Sequence, residues 1–86
     1  MKLRILKPGT IVAEAEVDAV TLPGASGQLT PMNGHDLLLT PLKQGAVYFR
    51  PIIKGAPGEK QEYKISGGVA EILKDAVTVF TAETNR

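Results

Sequence analysis

The feature that most limits the fold is a repeated two-residue alternation of polar and apolar side chains, cut into short pieces by glycine and proline. Lys2-Leu3-Arg4-Ile5 alternates until Pro8-Gly9 turns the chain. Glu14 to Ala19 alternates again, and Val20-Thr21-Leu22 extends that piece to Pro23-Gly24. A period of two places successive side chains on opposite faces, the signature of a half-buried strand. Leu3, Ile5 and Val17 are expected on a buried face, with Ala15 and Ala19 pointing the same way as Val17. Glu14, Glu16 and Asp18 are expected on a solvated face.

Later pieces repeat the pattern. Ala46-Val47-Tyr48-Phe49-Arg50 follows Gly45, and Pro51, which has no N–H to give a ladder, requires an edge or a bulge there. Ile52-Ile53 leads into Lys54 to Lys60, which reads as the clearest loop. Gln61 to Ile65, Val69 to Lys74 and Ala76 to Ala82 read as further strands. Gly67-Gly68 marks a tight connection or a close backbone approach, and Lys74-Asp75 a turn. The polar tail Glu83 to Arg86 is expected to fray. About six or seven short strands, with turns every 8–12 residues and no amphipathic helix, give an all-β expectation. The expected architecture is a flattened antiparallel β-sandwich or barrel of two sheets, one domain over residues 1–86 with no C-terminal helical domain.

One passage departs from the rhythm. Leu22 to Thr40, LPGASGQLTPMNGHDLLLT, reads as a single long connection. Connections of that length in a compact domain are functional or disordered. Leu22, Leu29, Met32, Leu37, Leu38 and Leu39 are expected to tie it to the body, leaving polar tips. Asp36-Leu37-Leu38-Leu39 has the composition for one helical turn, which Pro41 limits. An ordered, apolar, turn-rich excursion is suited to contact.

Composition excludes several function classes. Lys and Arg number 10 against 9 Asp and Glu, a formal net charge of +1, too balanced for affinity drawn from phosphate neutralisation. There is no cysteine, so neither disulfides nor thiolate metal sites arise. The N-terminus lacks the apolar core of a signal peptide, and no apolar run approaches membrane-spanning length. A soluble protein that stays in the compartment of its synthesis is expected.

Chemistry is sparse. His35, between Gly34 and Asp36, is the only histidine and reads as a structural residue or an interface donor. It has no nucleophile signature beside it and no second imidazole for a metal pair. Gly24-x-x-Gly27 lacks the spacing and the terminal Lys-Ser/Thr of a phosphate loop. No cofactor or metal is expected. Tyr48, Phe49, Arg50, Lys54, Lys60, Tyr63 and Lys64 mix aromatics with cations, as small barrels that bind single-stranded nucleic acid do. A plain solvated hairpin accounts for them better, because Phe49 and Tyr63 fall on core positions and Glu59 and Glu62 interrupt the basic run.

LPGASGQLTPMNGHDLLLT, LKQGAVYF and YKISGGVAEILKDAVTVFTAE resemble the N-terminal domain of the epsilon subunit of F-type ATP synthases, called delta in mitochondria. Gly27, Leu29, Gly34, His35, Leu38, Leu39, Thr40, Leu42, Lys43 and Gly45 fall on the family's first motif. Ser66, Gly67, Gly68, Glu71, Val77, Val79 and Ala82 fall on its second. Gln28, Thr30, Asn33 and the pair Asp36-Leu37 depart from the residues usual there.

The resemblance implies a non-catalytic subunit of the synthase's central stalk, or rotor. It binds the gamma subunit on one side and rests on the c-ring, helping couple proton or sodium translocation to ATP synthesis. It implies contacts with ring and gamma from Ser26, Gly27, Gln28, Gly34, His35, Asp36 and Thr40. Gln28 offers no charge to the cationic ring loop of this family, and Asp36 is the expected substitute. The implied location is peripheral, on the cytoplasmic face of the bacterial inner membrane, with a soluble monomer when isolated. The family's usual two-helix hairpin, which inhibits ATP hydrolysis in many members, lies beyond the position of Arg86. No intrinsic inhibition is therefore expected of this chain.

Overall fold

The computed structural model describes residues 1–31 and 38–81. Nine strands form among them: β1 (Lys2–Lys7), β2 (Thr10–Gly24), β3 (Gly27–Leu29), β4 (Leu38–Leu42), β5 (Gly45–Ile53), β6 (Ala56–Pro57), β7 (Gln61–Ile65), β8 (Gly68–Leu73) and β9 (Ala76–Thr81). One layer runs β1-β9-β8-β4, with the first half of β2 pairing β1. The second half of β2 crosses to the other layer, where it pairs β5, and β5 pairs β7. The expected all-β sandwich is the fold observed. All pairings are antiparallel except that of β1 with β9, which are parallel with Leu3 beside Val77 and Ile5 beside Val79.

The alternation places the core. Leu3, Ile5, Val17, Val20, Leu22, Val47, Ile65, Ala70, Ile72, Val77 and Val79 are buried between the layers, with Phe49 and Tyr63 packed against them. Each fully buried aliphatic side chain contributes about 1.5–3 kcal/mol relative to exposure. Glu14, Glu16 and Asp18 are exposed, as the alternation requires.

The phase of that alternation breaks twice along β2, at Val12 in its pairing with β1 and, with the larger consequence, at Asp18 in its pairing with β5. Val17 lies opposite Pro51 and Ala19 opposite Arg50, so Asp18 is an extra residue, a β-bulge. Beyond the bulge the faces exchange. Val20 and Leu22 turn inward, and Ala19 turns outward rather than sharing a face with Val17 as expected. The bulge lets one continuous strand serve both layers while keeping Val17 and Val20 in the core. The irregularity foreseen at Pro51 thus lies on the opposite strand.

Two further expectations change. Lys54 to Lys60 is not a plain loop: β5 continues through Pro51 to Ile53 and folds back into β6. Lys54 and Gly55 have φ of 53° and 81°, the paired positive values of a type I′ hairpin turn. The passage from Leu22 to Thr40 is not one connection either. Its ends are strand, and Leu38 and Leu39 belong to β4 rather than to a helical turn. Met32, Asn33, Gly34, His35, Asp36 and Leu37 lie outside the described residues, as does the polar tail from Glu83 to Arg86.

Gly67-Gly68 is a close approach, as read. Gly68 has φ 148°, and a Cβ there would lie 2.0 Å from the Phe80 carbonyl oxygen. No side chain fits that position. Next to it the buried Thr81 hydroxyl donates to the Gly67 carbonyl at 2.9 Å, which fixes the entry to β8.

Candidate contact surfaces

Two surfaces stand out from the body of the sandwich. The first is the hairpin joining β2 to β3. Gly24 pairs Gly27 across a two-residue turn of Ala25 and Ser26. A Cβ on Gly24 would meet the Gly27 carbonyl oxygen and Leu29 Cδ2, both at 2.7 Å, so the turn closes this tightly only with glycine there. Ala25 N–H donates to the Pro41 carbonyl at 3.0 Å, and Lys43 N–H donates to the Pro23 carbonyl at 2.9 Å. These bonds hold the hairpin against the end of β4. Buried Leu22 and half-buried Leu29 anchor it from below, as expected, while Ser26 and Gln28 project into solvent.

Of the residues expected at the contact, Ser26, Gly27 and Gln28 therefore share one protruding turn. Thr40 sits apart on β4, opposite buried Ala70 and half-buried on the inward side. Gly34, His35 and Asp36 fall outside the described residues. The expectation that Leu38 and Leu39 anchor the passage is corrected: they are 49% and 62% exposed. β4 carries its inward apolar contacts further along, at Leu42.

Leu39 belongs to the second surface, which the sequence reading missed; Leu38, in register with buried Ile72, lies on the opposite face. On the outer face of the β1-β9-β8-β4 layer, register places Ile11 opposite Leu6, Leu6 beside Phe80, Phe80 opposite Val69, and Val69 opposite Pro41. Five apolar residues thus line up across five strands, a stripe about 19 Å long at the usual strand spacing. Ile11 is 61%, Phe80 45% and Val69 41% exposed. The adjacent row adds Leu39 beside Glu71 and Thr78, ending in Arg4, whose Nε donates to Glu14 Oε2 at 3.1 Å. Leu73 is exposed in the row beyond.

Scattered exposed aliphatics need no explanation, but a contiguous stripe rimmed by polar pairs marks a contact site. Its signal was present in the sequence. Val69, Leu73 and Phe80 are apolar at positions out of phase with the buried set Ala70, Ile72, Val77 and Val79.

The face of the other layer is different in character. Tyr48 points outward, with Lys60 Nζ 5.1 Å from its ring centroid. Arg50 donates to Asp18 Oδ2 from Nη2 at 2.6 Å and from Nε at 3.1 Å. Tyr48, Arg50 and Lys60, with Ala19, Thr21 and Phe49, line a shallow hollow of about 200 Å³. Phe49 and Tyr63 pack toward the core, and Arg50 is engaged. Of the aromatics expected in that array, Tyr48 alone points outward beside the cations.

At the chain start, the Met1 ammonium lies 2.7 Å from Glu16 Oε2 and 3.7 Å from Asp75 Oδ1. The hydrogen bond to Glu16, opposed by burial and helped by the charges of Glu16 and Asp75, raises its pKa above the ordinary value. No group of three or more His, Cys, Asp or Glu able to hold a metal occurs among the described residues. No helix among them is long and apolar enough to cross a membrane.

Comparison with known proteins gives this geometry a context. The chain is 33% identical over 84 residues to the ATP synthase epsilon chain of Desulforapulum autotrophicum, covering 98% of this chain and 59% of that one. It is 35% identical over 80 residues to the chloroplastic ATP synthase epsilon chain of Phaeodactylum tricornutum, covering 93% and 56%. The chain thus spans somewhat over half the length of these relatives. Among solved structures, a chain of the Euglena gracilis mitochondrial ATP synthase, in an assembly that includes the c-ring, superposes with a TM-score of 0.78. That match has 26% identity and covers 94% of this chain and 49% of the other. A chain from the central stalk and c-ring of the Tetrahymena thermophila mitochondrial ATP synthase has the same fold, with a TM-score of 0.71 at 16% identity over 96% of this chain and 63% of the other. The sequence model of the family described as ATP synthase, Delta/Epsilon chain, beta-sandwich domain matches residues 1–86, and the chain belongs to that family.

Proposed function

We propose that this sandwich is the body of a central-stalk rotor subunit, held between gamma and the c-ring of an F-type ATP synthase. The observation that carries the reading is the apolar stripe Ile11, Leu6, Phe80, Val69 and Pro41. It is a surface made for a protein partner, on a chain whose relatives are ATP synthase epsilon chains. In this reading the stripe docks gamma, and the Ala25-Ser26 turn with Gln28 rests against the polar loops of the ring. Gly34, His35, Asp36 and Thr40 are the further contacts that the resemblance implies. The subunit supplies contact rather than chemistry, and couples proton or sodium passage to ATP synthesis by turning with its neighbours. It would sit at the cytoplasmic face of a bacterial membrane through the complex.

Burial of a flat apolar stripe by a partner is a direct source of affinity, with central aromatic residues carrying most of it. Size-exclusion chromatography with the cognate gamma subunit is expected to give a stoichiometric complex. Phe80→Glu, which changes only an exposed side chain, is expected to abolish the shift. Absence of a complex between wild-type chain and well-folded gamma would overturn the reading.

A further inference from the structure

β2 begins beside β1 in the layer that carries the apolar stripe and ends in the β2–β3 hairpin. A single strand therefore links the two proposed contact surfaces. Between them it passes the bulge at Asp18, which has no partner residue in the β2–β5 register. Opposite the bulge stands Pro51, which has no N–H to donate, and the Pro51 carbonyl already accepts from Gly58 N–H at 2.7 Å. At this point a side-chain bracket spans the two strands: Arg50 Nη2 and Nε both donate to Asp18 Oδ2.

We infer that the Asp18–Arg50 pair is a brace across a gap in the β2–β5 ladder, holding the bend of β2 and so the angle between hairpin and stripe. The bulge itself is dictated by the burial of Val17 and Val20. The brace restricts how far the strand flexes about it. Its purpose, keeping two docking surfaces in fixed relation, rests on the rotor reading; the brace itself does not.

The chain has no cysteine, so Ser26→Cys and Thr78→Cys give unique spin-label sites on the hairpin and on the striped layer. In the labelled chain, Asp18→Asn and Arg50→Gln are each expected to broaden the Ser26–Thr78 distance distribution. Amide exchange at Val17 to Val20 and at Arg50 should quicken by about 3- to 5-fold, the scale of an exposed ion pair. Exchange in β8 and β9 should not change. The swapped pair Asp18→Arg with Arg50→Asp is expected to restore the narrow distribution.

A distribution unchanged in both single variants overturns the brace. So does exchange that rises equally in all strands, which would mark a general loss of stability. Gamma binding by Asp18→Asn and Arg50→Gln in the unlabelled chain, within about two-fold of wild type, separates the two ideas, since stripe and hairpin residues are then untouched. If wild-type chain fails to bind gamma while the distances respond, the rotor reading falls and the brace stands.

Discussion

Val17 and Val20 are both 1% exposed although they stand three positions apart on one strand, because Asp18 is an extra residue in its pairing with β5. Deleting Asp18 would make the pairing regular and force either Val17 or the pair Val20 and Leu22 to the outer face. Loss of the larger pair costs about 3–6 kcal/mol of burial, most of the stability of a small domain. The deletion is expected to show no cooperative urea transition. Asp18→Ala keeps the extra residue and loses only an exposed ion pair, so its midpoint should correspond to a loss of at most about 1 kcal/mol.

The stripe and the core respond differently to truncation. Phe80→Ala removes a ring that is nearly half exposed, so the thermal midpoint is expected to shift little. Its affinity for gamma, measured by calorimetry, should fall by about ten-fold or more. Val79→Ala, one residue earlier and fully buried, should do the reverse: a loss of stability on the order of 1–3 kcal/mol with affinity unchanged in the folded fraction.

Gly68 and Gly67 are adjacent but not equivalent. Gly68→Ala drives a Cβ into the Phe80 carbonyl and requires β8 and β9 to separate, whereas the same change at Gly67 meets its nearest atom, the Leu42 carbonyl oxygen, at 3.4 Å. Chemical denaturation should show about 1–3 kcal/mol lost for Gly67→Ala, the cost of the strained backbone alone. A clearly greater loss is expected for Gly68→Ala.

Lys54 holds a positive φ that a lysine adopts at a cost. Asparagine tolerates this conformation and is favoured in the first position of a type I′ turn. Lys54→Asn is expected to raise stability by about 0.5–1 kcal/mol. A drop in the urea midpoint would show that the turn is not under strain.

The raised pKa of the Met1 amino group sets a pH dependence. A group whose pKa is higher in the folded state contributes its stabilisation fully below the unfolded value of about 8. That stabilisation is lost as pH rises through the folded value. Stability should therefore fall on the alkaline side of pH 8. Glu16→Gln removes the leading cause of the shift and should flatten this part of the profile relative to wild type.

The buried face of β1 and the solvated acids of β2 were legible because strict alternation specifies a face. The bulge was not recognised, although the spacing Val17-x-x-Val20 encodes it: two buried valines cannot share a face across an odd step without an inserted residue. β4 is hidden in the sequence because Leu38 and Leu39 are both apolar, which masks period two. Leu39, opposite Glu71, is apolar for a reason outside the core. The out-of-phase apolar residues of the stripe can be read in the sequence, but their alignment into one surface cannot. Its five members come from five strands, and only the register, including the parallel pairing of β1 with β9, brings Leu6 beside Phe80. The hairpin tip, by contrast, is local, and Gly24 and Gly27 announce it in the chain.

That parallel pairing also governs when the domain can form. β1 and β9 are the first and the last of the described strands, and Leu3 and Ile5 are sealed only when Val77 and Val79 arrive. Loop-closure entropy on this scale makes folding slow, and no partial product holds a finished core. A nascent chain therefore carries Leu3 and Ile5 on an open apolar edge until Val77 and Val79 are available to cover them.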